Sequence, residues 1–263
     1  MILVGPNGCG KTTIMKIIIG IEHVQNGNVT FRKGTKLGYL DQIPEYGDDV
    51  KVIDIMQSAF VDVYRVKSKL DQCTLSLGKL TGNLLERALN EYTILNHDFE
   101  QLDGYLVETN INKVCSGLKI SDAMKEMNFN LLSGGEKTRV MLGKILLEEP
   151  SILMLDEPSN HLDLESIQAF NNALISFPGT VIFTCHDHHF TQTVANRIVE
   201  ITPNGCLDKL MSFDDYISSP KVKEQKELLK EQFAKSKTED INSEIESEVE
   251  NELNETPEPT ETH

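Results

Sequence analysis

The sequence predicts an α/β fold in which a parallel sheet carries a phosphate-binding loop, and three stretches predict it. Ile2-Leu3-Val4 is an apolar run, followed by the glycine-rich Gly5 to Thr13 and then the apolar Ile14 to Ile19, an order that reads strand–loop–helix. Ile152-Leu153-Met154-Leu155 leads straight into Asp156-Glu157, the pattern of a buried parallel strand with carboxylates at its carboxyl end. Val181-Ile182-Phe183-Thr184-Cys185 is a second buried strand, and it delivers His186-Asp187 to the same edge.

Gly5-Pro6-Asn7-Gly8-Cys9-Gly10-Lys11-Thr12-Thr13 fits G-x-x-x-x-G-K-[ST], with Gly5, Gly10, Lys11 and Thr12 at the fixed positions. Glycines let the main chain approach phosphates and turn its N–H groups toward them, and the helix start adds partial positive charge. In such a loop Lys11 reaches the β- and γ-phosphates and the Thr12 hydroxyl ligates Mg²⁺. A glycine-rich turn that happens to carry a lysine is the alternative. Only four residues precede Gly5, so the strands expected to hold a nucleotide base are absent or come from elsewhere.

After the first helix, Gly20, Asn26-Gly27-Asn28 and Gly34 punctuate short strand-like runs, Val29-Thr30-Phe31 and Leu37-Gly38-Tyr39-Leu40. Asp41-Gln42 closes the second, which places Gln42 at a strand end where it could sense a metal or an attacking water. As a bare residue it is more often just a polar strand end.

From Pro44 to about Asn130 the chain turns polar and helical. Leu85, Ala88/Leu89, Tyr92, Leu95, Phe99 and Leu102 recur at steps of three and four. Val50 to Leu70 reads as another helix, and the two are expected to form an antiparallel hairpin with Thr81-Gly82-Asn83 as a turn. Arg65, Lys67, Lys69, Lys79 and Arg87 are expected around its tip; a solvated face explains them as well as an RNA contact does.

Leu132-Ser133-Gly134-Gly135-Glu136 opens a helix running to Leu147, a second anion-binding helix start. At the end of the following strand Asp156 is placed to hold Mg²⁺ through water and Glu157 to orient or deprotonate an attacking water. His186 is placed to contact a γ-phosphate. Lys221 to Lys235 is charged and weakly helical, and the Glu/Ser/Thr/Pro-rich run beyond Ser236 is expected to be disordered.

Bulk properties bound the function. The 263 residues carry a net charge of −16, and the ten acids and one Lys from Ser236 onward account for −9 of it. The remaining −7 gives no global signature for nucleic acid. Five cysteines, odd in number and without a C-x-x-C pair, imply a reducing compartment rather than disulfides or zinc. No run approaches bilayer-spanning length and no signal peptide precedes the loop, so a cytoplasmic location is expected.

With those residues in hand the chain resembles an ABC-type ATPase domain. The resemblance rests on GPNGCGKTT (Gly5 to Thr13), Gln42, LSGGE (Leu132 to Glu136), ILMLDE (Ile152 to Glu157), SNHLD (Ser159 to Asp163) and His186, in order. Glu136-Lys137-Thr138-Arg139 and Asn160-His161-Leu162-Asp163 are similar to family F, whose members lack a transmembrane domain and typically act at the ribosome, some in antibiotic resistance. The 91 positions from Gln42 to Ser133 suit the helical arm that family inserts. Ser159 stands where the family usually has Thr, and Gly143 where it has Ala.

The resemblance implies a P-loop NTPase fold of the ABC nucleotide-binding type, N-terminally incomplete and present as a single domain. Residues 1–44 and 132–217 form the ATPase core, 45–131 a helical arm subdomain and 218–263 a charged, largely disordered tail. It implies ATP and Mg²⁺ as cofactors, bound at Gly5 to Thr13, with Thr12, Gln42 and Asp156 on the metal side and Glu157, His186 and Gln42 catalytic. A second ABC ATPase domain is the expected partner. Its phosphates would meet Ser133, Gly134, Gly135 and Glu136 in a head-to-tail dimer, with ribosome or RNA as a further partner and no membrane insertion. The alternatives are the ATPase subunit of a membrane transporter, or a truncated domain with little activity.

Overall fold

A computed structural model describes residues 1–24, 26–40, 43–159, 162–232 and 234. Asp41, Gln42, Asn160, His161 and the acidic tail lie outside the described residues, and the expectations placed on them with them. The chain divides into two compact units, Met1–Ile2 with Thr12–Ala195, and Leu3–Lys11 with the described residues from Asn196 on.

In the first unit a parallel sheet forms from β2 (Leu37–Leu40), β3 (Ile152–Asp156) and β4 (Thr180–Thr184). Tyr39 registers with Met154, and Asp156 with Thr184. Ile2, at the start of β1 (Ile2–Val4), registers with Phe183, and the Phe183 N–H donates to the Met1 carbonyl at 3.1 Å. Leu153, Met154, Leu155 and Phe183 are fully buried, as expected of a strand covered on both faces. Met15 of α1 (Lys11–Ile18) is also fully buried. Phe170, Phe183 and Phe190 form an aromatic cluster, the last two edge to face at 5.4 Å between centroids. Phe170 comes from α8 (Leu164–Ile175) and Phe190 from α9 (His188–Val194).

Between β2 and β3 the chain is helical, with α2 (Val52–Gln57), α3 (Val61–Leu77), α4 (Asn83–Gln101), α5 (Val107–Gly117), the single turn α6 (Asp122–Lys125) and α7 (Gly134–Leu147). The polar α3 and α4 pack as a hairpin joined by a short turn whose Gly82 has φ +61, and the Cys73 thiol donates to the Ala88 carbonyl at 3.3 Å. Of the predicted stripe on α4, Ala88 and Phe99 are buried while Leu89 stays exposed.

Two expectations fail here, the first of them in part. Lys79 lies in the hairpin turn and Arg87 near the start of α4, but Arg65 and Lys67 lie away from the tip. Arg65 lies twelve residues before Leu77, roughly 18 Å along the helix, and pairs with Asp62 at 2.8 Å. Lys67 instead lines a cavity of about 930 Å³ shared with Tyr64, Tyr92, Phe99 and Tyr105. The turn falls at Gly82 as expected, but α3 begins later and runs on to Leu77 rather than ending at Leu70, so Arg65 and Lys67 lie well back from it. Likewise Val29-Thr30-Phe31 forms no strand; it is exposed coil.

In the second unit β5 (Ile198–Thr202) and β6 (Gly205–Lys209) pair antiparallel. The short α10 (Phe213–Ser218) and a helix over residues 220–232 follow. Ile198, Tyr216 and Val222 are buried.

Candidate nucleotide site

The glycine-rich loop takes its shape from two constraints. Gly8 and Gly10 have φ of +81 and +96, a region that L side chains rarely adopt. Gly5 faces a different limit, since a Cβ there would lie 2.4 Å from the Ile201 carbonyl oxygen and 2.6 Å from the Cys9 sulfur. The Cys9 N–H donates to Pro6 O at 3.3 Å, closing a tight turn over Pro6, Asn7 and Gly8. The Lys11 ammonium donates to the carbonyls of Gly5 at 2.9 Å and Pro6 at 3.1 Å. Lys11 is thereby held over the loop by neutral acceptors, with no ion pair among the described residues.

Thr12 and Thr13, exposed in the first turn of α1, open the same helix inside the other unit. There the Thr12 hydroxyl donates to Asp156 Oδ2 at 2.6 Å. The other carboxylate oxygen, Oδ1, accepts from the Thr184 hydroxyl at 2.6 Å. Thr184 in turn accepts from the Glu157 N–H at 2.9 Å. Glu157 takes φ +47, outside the ordinary range for a non-glycine residue, as the chain leaves β3. Its Oε1 lies 3.3 Å from His186 Nε2. Thr12, Asp156, Glu157 and His186 therefore converge, as their sequence positions predict. Thr184 was not expected; the only trace of it in the sequence is its place one strand over from Asp156.

Below this edge Cys185 approaches Ser159 Oγ at 3.1 Å, and burial pushes its thiol above the ordinary range. Asp187 caps α9 by accepting from the Phe190 N–H at 2.7 Å, which fixes the chain just past His186.

Ser133 caps α7 in a reciprocal arrangement. Its hydroxyl accepts from the Glu136 N–H, and Glu136 Oε2 accepts from the Ser133 N–H at 2.9 Å. Ser133 and Gly134 are exposed, Gly135 is buried and Glu136 is half-buried. Six residues on, the buried Arg139 donates to the carbonyls of Leu118 and Lys119, both at 3.3 Å, and so caps the C-terminal end of α5.

No cluster of three or more His, Cys, Asp or Glu suited to a resident metal occurs among the described residues. The Thr12 hydroxyl and the Asp156 carboxylate nonetheless fit Mg²⁺. They are hard oxygen donors in direct contact, and Mg²⁺ commonly takes one carboxylate, phosphate oxygens and retained waters.

Comparison with known proteins agrees with this geometry. A solved ATP-binding subunit of an ABC transporter superposes with a TM-score of 0.56 at 17% identity, covering 84% of this chain and 81% of that one, a likeness of fold. The uncharacterized ABC transporter ATP-binding protein YkpA of Bacillus subtilis (strain 168) is 60% identical over 96 residues, 36% of this chain and 18% of its own length. The energy-dependent translational throttle protein EttA of Mycobacterium tuberculosis (strain H37Rv), of ABC-F type, is 32% identical over 76% of this chain and 35% of its own length. The chain thus spans well under half the length of either relative. Among the described residues no helix is long and apolar enough to cross a membrane. The sequence model for the ABC transporter family matches residues 1–160, a stretch that holds the glycine-rich loop, Ser133 and the Asp156-Glu157 pair, and the chain belongs to that family.

Proposed function

We propose that this chain is an ATP-hydrolysing ABC-F module that works with Mg²⁺, pairs with a second ATPase domain, and acts on the ribosome in the cytoplasm. The observation that carries the hydrolytic part is the continuous contact chain from Thr12 through Asp156 and Thr184 to Glu157 and His186. Gly5 to Thr13 hold the phosphates, with Lys11 as the point charge. Thr12 and Asp156 hold Mg²⁺, which when bound supplies charge neutralisation between the phosphates. Glu157 accepts a proton from the attacking water, and His186, 62% exposed, steadies that carboxylate from the side facing a γ-phosphate. Gln42, outside the described residues, is assigned to the metal and water side from its place in the sequence. The exposed Ser133 and Gly134, with Gly135 and Glu136, present a helix start to the phosphates of the partner domain. The family match and the ABC-F relative support the pairing and the ribosomal setting.

Glu157→Gln tests the reading. The amide keeps the shape but cannot take a proton, so hydrolysis should fall by about 10²–10⁴ while ATP binding persists. The variant should run as a dimer with ATP and as a monomer without it, and should sediment with ribosomes rather than membranes. Hydrolysis at the parental rate would overturn the assignment of Glu157. Loss of ATP binding and dimer formation in both proteins would favour an inactive domain.

A further inference from the structure

One cationic stretch of this acidic chain lies outside the helical arm. From His23 to Leu40 there is no Asp or Glu, while Arg32, Lys33 and Lys36 give +3 in a chain of net −16. A turn fixes their place. The Thr35 N–H donates to Arg32 O at 3.1 Å, the Thr35 hydroxyl donates to the same oxygen at 2.8 Å, and Gly34 has φ +86. The C-terminal side is anchored to the sheet, because the Ser151 N–H donates to the Lys36 carbonyl at 2.8 Å. All three cations are exposed, and no ion pair engages them among the described residues. Just before the turn Phe31 and Val29 are 43% and 42% exposed, in coil outside any described strand.

We propose that the Val29–Lys36 turn is a contact surface for single-stranded RNA, with Arg32, Lys33 and Lys36 on phosphates and Phe31 stacking on a base. Unpaired cations beside an exposed aromatic ring are the two components of such surfaces. On the arm, by contrast, Arg65 pairs with Asp62 and Lys67 lines a cavity. The surrounding negative charge repels a polyanion and confines binding to this island, so few phosphates are neutralised. The choice of RNA deepens the ribosomal part of the function proposed above and rests on it; the ATPase part does not enter.

The test is fluorescence anisotropy of a short labelled oligouridylate with the full chain over a series of KCl concentrations. Three phosphate contacts predict a slope of log K against log[salt] of about −2. Replacing the three cations together (R32Q, K33Q and K36Q) should flatten that slope toward zero and weaken low-salt binding by roughly tenfold or more. Phe31→Ser should weaken binding by roughly tenfold with the slope retained. Replacing Arg65, Lys67 and Lys69 by Gln should change neither. The proposal is overturned if the parent chain does not bind at low salt, if the R32Q/K33Q/K36Q protein keeps the parental slope, or if the chain takes up phosphatidylserine vesicles and not RNA. Ribosome sedimentation with and without ATP tests the ribosomal reading separately, and a protein that sediments but ignores the oligonucleotide sinks this surface alone.

Discussion

The Thr184 hydroxyl donates to the Asp156 carboxylate at 2.6 Å while its oxygen accepts from the Glu157 N–H, so one side chain holds the Asp156 carboxylate and the Glu157 main chain. Thr184 is 1% exposed, and water cannot replace it. Thr184→Val keeps the shape but orphans a carboxylate oxygen and an N–H, at a cost of about 1–3 kcal/mol. The thermal midpoint should drop by roughly 2–10 °C, with Thr184→Ser close to the parent. A valine variant that melts with the parent would show that the hydroxyl positions nothing.

Arg139 packs its stem inside the fold and donates to the end of α5, but its Nε is buried without a partner. Arg139→Met removes the charge, the hydrogen bonds and that unpaired donor together while keeping most of the volume. It should cost about 1 kcal/mol. Arg139→Ala adds a cavity and should cost roughly 2–4 kcal/mol. Urea unfolding midpoints rank the two; equal midpoints would mean that the stem does not pack as it stands.

Gly38 in β2 allows α7 to close on the sheet. A Cβ there would sit 2.6 Å from Ile145 Cγ2 and 3.0 Å from Pro150 Cγ. Gly38→Ala should cost about 1–3 kcal/mol by overpacking. The penalty should shrink in an Ile145→Ala background. At Gly143 the nearest atom to an added Cβ is the mobile Met56 Cε at 2.8 Å, so Gly143→Ala should cost much less. Additive effects of the Gly38 and Ile145 changes would show that the two do not meet.

Burial is the main cause that pushes the Tyr216 phenol above its ordinary range, and its hydrogen bond to Glu200 adds to the shift. The folded chain therefore keeps this proton where the unfolded chain loses it. The associated stability is fully present below pH of about 10 and declines as pH rises above that. Tyr216→Phe should cost about 1 kcal/mol at neutral pH, since Lys226 still satisfies Glu200 at 2.6 Å, and should flatten the alkaline decline. Denaturant midpoints across the alkaline range decide it; an unchanged slope would assign the decline to other groups.

Much of the site was legible because its determinants are local in sequence. A run of apolar residues ending in Asp156-Glu157 can only be a strand whose carboxylates stand at the sheet edge, and Gly8 and Gly10 announce positive φ. Thr184 was invisible for the opposite reason, as its role exists only once β4 lies beside β3 and brings a residue 28 positions away into contact with Asp156. The arm failed on a boundary. Helical periodicity gives the phase of α3 but not its end, and its extension from Leu70 to Leu77 leaves Arg65 well back from the turn. Val29-Thr30-Phe31 has the composition of a strand, but pairing decides strands, and no strand among the described residues pairs with it.

The backbone at Glu157 has a further consequence for how this chain can change. At φ +47 the position suits glycine or asparagine better than glutamate, by about 1–2 kcal/mol for glycine. Random substitution screened for thermal resistance alone would therefore enrich Glu157→Gly and Glu157→Asn, and each enriched clone would have lost the carboxylate beside His186. Folding alone thus favours loss of this glutamate, and any role proposed for its carboxylate carries that conformational cost.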